Sequence, residues 1–200
     1  MIRFHTPYPN YNVLDKWHSP SWDTITRQVI ARRLRQIPER RFLDPDRYAV
    51  LVAVCNRLLP QPERRQPVPI APWIDDKLVR NQGSGYRYAD LPPLREAWQQ
   101  GLTAIDAESR QRFEVGFTEL NDSDQDRILA AIQHGDTVAD DWQTLPAQRF
   151  FNALLLNDVV AMYYAHPAAW SEIGFGGPAS PRGYLRLGID RRDPWEAAHD

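Results

Sequence analysis

The segment from Tyr163 to Trp195 constrains the fold more than any other part of the chain. It concentrates aromatic side chains among glycines and prolines, which break the periodicity of helices and strands. An irregular stretch is normally polar, whereas large apolar side chains must be covered by other protein. The segment therefore either folds back onto its own domain or lies against another protein. Its aromatic side chains are Tyr163, Tyr164, His166, Trp170, Phe175, Tyr184 and Trp195.

Proline and capping signals divide the preceding residues into helices. Ser19-Pro20 and Asp44-Pro45 each predict an N-cap followed by proline in the first turn. Further helices are predicted over 71–81, 92–105, 107–120, 123–134 and 146–165. No apolar–polar alternation persists beyond a few residues, so the sequence predicts an all-α fold. We expect a single domain over 1–200, with an extended N-terminal arm (1–19), a core of about six or seven helices (20–165) and an irregular C-terminal arm (166–200).

Two of these helices carry more specific expectations. The first helix has apolar residues at helical spacing up to Pro38, which are expected to face inward. The last long helix is nearly apolar on all faces from Phe150 to Tyr164, which is typical of a central helix or of one shared with a partner. The inward residues expected in the first helix are Ile25, Val29, Ile30, Leu34 and Ile37.

The composition offers no catalytic, metal or cofactor constellation. The formal charge of −2 argues against nucleic acid as the main partner. The five histidines lack metal-ligand spacing, and there is no GxGxxG sequence for a flavin or nicotinamide dinucleotide. Cys55, the one cysteine, lies on the apolar face of its helix and is expected in the core. Asp75 and Asp76 are expected at a helix start or turn. We therefore expect no catalytic residue, metal or cofactor in this chain.

His166 has two interpretations. It follows the last long helix, where an imidazolium would cap the C-terminal carbonyls. Alternatively, it contacts a partner, even at the rim of that partner's substrate pocket. The cap is the favoured interpretation.

The C-terminal third resembles a known family. RFFNALLL, DVVAMYYAHPAAW and EIGFGGPASPRGY, in that order from Arg149, are similar to the C-terminal signature of the gluconate 2-dehydrogenase subunit 3 family. The resemblance runs back through Arg41-Phe42-Leu43, Asn56 to Pro60, and Val68-Pro69-Ile70 to Leu78. It implies a small partner of a large FAD-bearing dehydrogenase of the glucose–methanol–choline type. Such dehydrogenases oxidise sugars, sugar acids or glycosides.

The resemblance implies a non-catalytic subunit that binds and stabilises or matures the large subunit. FAD is expected in that partner, with a cytochrome or another electron acceptor as a further partner. Two alternatives remain: a solitary helical binding domain, and a self-contained hydrolase using Asp75 and Asp76 with a histidine. The residues expected at the partner interface are Tyr11, Trp17, Trp22, Tyr163, Tyr164, His166, Trp170, Phe175, Tyr184 and Trp195.

The sequence also bears on location. No stretch approaches the length of a membrane helix. The first residues show neither a basic start followed by an apolar run nor a twin-arginine pair, in contrast to many members of the resembled family. The sequence therefore leaves the location unknown: cytoplasmic, or periplasmic only if an exported partner carries the chain.

Overall fold

The fold is all-α, as the sequence predicts. The computed structural model describes residues 6–62, 64–83, 85–178, 183 and 195–198, and these ranges contain no β-strand. A π-helical segment, Phe150–Leu155, joins two of the α-helices into one run, so the described residues form seven continuous runs, besides three short 3-10 helices. The α-helices are α1 (Thr24–Arg35), α2 (Pro45–Leu58), α3 (Ile70–Arg80), α4 (Leu94–Phe113), α5 (Asp122–His134), α6 (Ala147–Arg149), α7 (Leu156–Tyr164) and α8 (Pro167–Glu172).

The chain divides into two compact units. Unit 1 takes both ends of the chain, Met1–Ile37 and Tyr163–Asp200, and unit 2 takes Pro38–Met162. In unit 1, a short 3-10 helix over Val13–Lys16 packs against α8. The boundaries proposed from the sequence, a helical core flanked by two arms, stay a prediction.

Unit 2 is built around α4. This helix packs against α2 and α5, and its residues Trp98, Leu102 and Ile105 have no exposed surface. Gly101 on the same helix allows an unusually close approach, since a Cβ there would lie 2.2 Å from the Phe150 ring. The Phe150 ring meets Trp98 edge to face, with centroids 5.8 Å apart. A glycine in mid-helix is thus required by packing.

Helix α1 differs from its prediction in both start and register. It begins at Thr24, because the Asp23 carboxylate accepts the Thr26 backbone N–H at 2.7 Å and supplies the N-cap in place of Ser19. Its inward face carries Thr26 and Ile30. The predicted apolar stripe was therefore wrong at Ile25, Val29 and Ile37, which are exposed.

The middle helices also differ from the prediction. Residues 107–120 were predicted to continue the helix over 92–105, and α4 does run without a break to Phe113, but it ends there at Glu114, which has a left-handed backbone. The N-cap of α5 is Asn121, whose side chain accepts the Asp124 N–H at 3.0 Å, so α5 begins one residue before the predicted start at 123. Gly135 ends α5 with φ 81°, directly after the predicted last residue, 134.

Candidate functional site

Two tryptophans lie in the core of unit 1. Trp22 and Trp170 are buried with Val13 and Ile30 in one apolar cluster, and Trp17 packs against it from a half-buried position. The Trp17 and Trp22 rings meet edge to face, with centroids 5.7 Å apart. These aromatic side chains from both ends of the chain thus cover one another within unit 1.

An exposed apolar surface surrounds the buried Trp170. The Trp170 Nε1–H donates to the Tyr164 carbonyl at 2.6 Å, and its ring meets the Phe175 ring edge to face at 6.0 Å. Tyr164, Ile173 and Phe175 nevertheless keep 41%, 43% and 37% of their surface exposed. We call these three residues the Trp170 patch. Because covering apolar surface lowers the free energy, the patch is the candidate binding surface of unit 1.

The residues predicted at an interface separate by exposure into three groups, apart from Tyr184. Trp22, Tyr163 and Trp170 are buried in this chain, so in this conformation they offer little surface to a partner. Tyr164 and Phe175 are exposed, whereas Tyr11, Trp17, His166 and Trp195 are half-buried. Tyr184 lies outside the described residues. The interface itself stays a prediction.

His166 caps a helix, but not the one that the sequence favoured. Its Nδ1 accepts the Ala168 backbone N–H at 3.2 Å, so it is the N-cap of α8. An acceptor at a helix N-terminus requires an unprotonated nitrogen, in contrast to the imidazolium expected at a C-terminus. The expected cap on the preceding helix was therefore wrong.

In unit 2, the acidic pair Asp75 and Asp76 serves the structure. Asp75 has no exposed surface, and its carboxylate accepts the backbone N–H groups of Arg41, Phe42 and Leu43. Asp76 pairs with Arg41 and Arg80. Both lie well inside α3, so the expected position at a helix start or turn was wrong. Side chains buried in this way cannot reach a substrate, which removes the carboxylate pair from the hydrolase alternative.

Glu108 is a second buried carboxylate, which the sequence reading missed. It has no exposed surface and accepts the backbone N–H groups of Val138 and Ala139 at 3.0 Å and 2.9 Å. Arg112, one helical turn further along α4, donates to its other oxygen at 2.6 Å. These bonds hold the loop after α5 against α4, a role that no local sequence signal announces.

A cleft in unit 2 ends at a buried ion pair. The cleft has a volume of about 360 Å³, and its lining includes Tyr86, Tyr88 and the π-helical segment. At its wall, Lys77 Nζ lies 2.5 Å from Asp158 Oδ1. Burial raises the pKa of Asp158, and the hydrogen bond from Lys77 opposes that shift. The indole of Trp98 also opposes the shift of the Asp158 pKa, although neither Asp158 Oδ2 nor Trp98 Nε1 has a partner at ordinary hydrogen-bond geometry among the described residues.

The described residues show neither a metal site nor a membrane helix. Among the described residues, no three His, Cys, Asp or Glu side chains converge as metal ligands would. No described helix is both long and apolar enough to cross a bilayer.

The comparison with known families gives one match. The model of the family described as gluconate 2-dehydrogenase subunit 3 matches residues 45–177, which include α2 to α8 and all three residues of the Trp170 patch. No curated protein and no solved structure matches the chain significantly. The family match covers well over half of the chain and contains the C-terminal motif up to Gly177. The chain therefore belongs to the gluconate 2-dehydrogenase subunit 3 family, which is named for a subunit of a dehydrogenase complex.

Proposed function

We propose that this chain is a non-catalytic small subunit that binds a large FAD-dependent dehydrogenase and stabilises or matures it. The large subunit would hold FAD and oxidise a sugar, a sugar acid or a glycoside. Its electrons would pass to a cytochrome or to another acceptor. The small subunit would contribute a binding surface rather than a reacting group.

The Trp170 patch is the observation that carries this proposal. The Phe175 ring lies against the buried Trp170 ring, and Tyr164 and Ile173 lie within six residues of Trp170; all three residues keep more than a third of their surface exposed. Aromatic side chains of this kind dominate the binding energy of protein interfaces. The patch lies in the C-terminal motif through which the chain resembles its family, and Tyr164, Ile173 and Phe175 all fall within the matched residues.

Binding at the patch would stabilise the complex by simple linkage. A partner that binds only the folded small subunit shifts its folding equilibrium, and the small subunit does the same for the partner. A folding helper and a permanent subunit differ only in how long this contact lasts.

The test is an affinity measurement with patch variants. The chain is immobilised and titrated with a large FAD-dependent dehydrogenase from the same genome. We expect Phe175→Ala to raise the dissociation constant about tenfold or more, as truncation of an interface aromatic typically does. Tyr86→Ala is the matched control, because Tyr86 is a fully exposed aromatic residue in unit 2. An equal loss in both variants, or no loss in Phe175→Ala, would remove the patch from the interface.

A solitary helical binding domain is the second candidate. The mutual burial of Trp22 and Trp170 favours it, since these aromatic residues are covered without any partner. The two candidates differ in the titration: a solitary domain does not retain the flavoprotein at all.

A further inference from the structure

Tyr11 holds two distant points of the C-terminal chain together. Its hydroxyl lies 2.6 Å from the Trp195 carbonyl, to which it donates, and 3.4 Å from the Phe175 carbonyl. Phe175 belongs to the Trp170 patch, whereas Trp195 lies twenty residues further along the chain. The Tyr11 hydroxyl thus holds the backbone at Trp195 beside the backbone at Phe175.

The glycines of the C-terminal motif make room for this return. Gly174 has φ +68°, and a Cβ there would lie 2.5 Å from the Tyr8 ring and 2.9 Å from the Ala197 Cβ. The Gly174 carbonyl accepts the Ala197 N–H at 3.2 Å. At Gly176, a Cβ would lie 3.3 Å from the Trp195 carbonyl oxygen. The Gly-Phe-Gly-Gly sequence is therefore needed because other chain segments press against it on both sides.

Two more hydrogen bonds tie the N-terminal segment to α8. The Thr6 hydroxyl donates to the Glu172 carbonyl at 2.7 Å, and the Val13 N–H donates to the Ser171 hydroxyl at 3.1 Å. Val13 is 1% exposed, so the second bond lies beside the core of unit 1. These two bonds thus hold Thr6 and Val13 against the end of α8, next to the Trp170 patch.

We propose that Tyr11 is a positioning residue, which ties the returning C-terminal chain to the Trp170 patch and forms this docking surface before the flavoprotein binds. The inference rests on the proposed function for the identity of the partner. It differs from an alternative in which the two predicted arms, 1–19 and 166–200, become ordered only around the partner.

We call the contacts of Trp195 with Tyr11 and of Ala197 with Gly174 the tie. Its advantage for binding is thermodynamic. Arms that become ordered on binding lose conformational entropy at that moment, which weakens the affinity gained per unit of interface. A surface that is already formed avoids that loss. The apparent affinity then depends on the fraction of molecules in which the tie is closed.

The first measurement uses the isolated full chain. Hydrogen exchange of the Ala197 amide reports opening of the tie, because this N–H donates to Gly174. We expect exchange about fivefold faster in Tyr11→Phe, the factor that one ordinary hydrogen bond corresponds to. Gly174→Ala should accelerate it further. Tyr86→Phe, which removes a hydroxyl from an exposed ring in unit 2, should leave exchange at Ala197 unchanged.

The second measurement titrates the same variants with the flavoprotein. We expect the dissociation constant to rise in the order Tyr86→Phe, Tyr11→Phe, Gly174→Ala, by about threefold or more in the last. Protection of amides in the core of unit 2 should stay at the wild-type level, which distinguishes positioning from general destabilisation. Unchanged exchange in both Tyr11→Phe and Gly174→Ala would overturn the tie. If exchange shows these contacts open in most Gly174→Ala molecules while the affinity is unchanged, the role in docking is overturned and the proposed function stands, whereas a wild-type chain that fails to bind overturns both.

Discussion

The Asp75 carboxylate should be among the most destabilising positions to truncate. It accepts three successive backbone N–H groups, from Arg41 at 2.6 Å, Phe42 at 3.1 Å and Leu43 at 2.8 Å. Leu43 is 2% exposed, so water cannot replace the carboxylate at its N–H. Hydrogen bonds to a charged acceptor contribute about 1.5–3 kcal/mol each, and an unpaired buried donor costs about 1–3 kcal/mol. Since neighbouring bonds are not additive, we expect Asp75→Ala to lose about 4 kcal/mol of unfolding free energy.

Urea unfolding followed by circular dichroism measures this loss through the shift of the midpoint. Asp75→Asn should lose about half as much, because it keeps one acceptor oxygen but sets an N–H₂ donor against backbone donors. The control is Asp141→Ala, an exposed aspartate that should change stability by less than about 0.5 kcal/mol. If Asp75→Ala lost under about 1 kcal/mol, the carboxylate would not hold the turn that precedes α2, and the reasoning would be refuted.

Three further predictions concern unit 2. Gly101→Ala should lose about 1–3 kcal/mol despite the helix preference of alanine, because its Cβ would meet the Phe150 ring at 2.2 Å; Gly83→Ala, in open space, is the control in the same thermal-melt assay. Burial raises the pKa of Cys55 to about 12, so the native thiol should resist a disulfide reagent at mildly alkaline pH and react with one equivalent only after denaturation. Burial raises the pKa of Asp158 in the folded state, so its contribution favours folding below the unfolded pKa and is lost as pH rises through the folded pKa. The unfolding free energy of the wild type relative to Asp158→Asn should therefore fall across that pH window, as measured by urea titrations from acid to neutral pH. A difference that does not change with pH would contradict the burial argument.

Local signals predicted several features of the fold. Asp44 caps α2 and Pro45 occupies its first turn, because a side-chain acceptor and a fixed φ act within four residues. Gly135 ends α5 for the equally local reason that glycine adopts a left-handed backbone freely. The all-α class followed from the same kind of periodicity, summed over the whole chain.

Features that depend on tertiary packing could not be predicted in this way. Nothing near Asp75 or Glu108 in the sequence indicates that their partners lie about thirty residues away. The π-helical segment within the last long helix also lacked a local signal, although the apolar run around it was evident. In α1, the buried face carries Ile30, as predicted, together with Thr26 in place of Ile25 and Val29, because packing within unit 1 selects the face that is covered.

The candidate surface was predicted only in part. The aromatic residues of both chain ends were identified from composition, but composition cannot separate the buried Trp22 and Trp170 from the exposed Tyr164 and Phe175. Which aromatic rings are buried depends on how the N-terminal and C-terminal residues pack on each other in unit 1, which is a tertiary feature. The glycines of the motif were interpreted as breakers of regular structure, whereas Gly174 also allows the close approach of Tyr8.

Co-purification tests the central claim most directly. The chain is tagged, expressed with a large FAD-dependent dehydrogenase from the same genome, captured and run on a sizing column while absorbance is followed in the flavin band. If the chain is the small subunit of an FAD-dependent dehydrogenase, a yellow complex elutes with both proteins, ahead of the small subunit alone. A colourless, well-folded small protein that retains no flavoprotein would contradict the account.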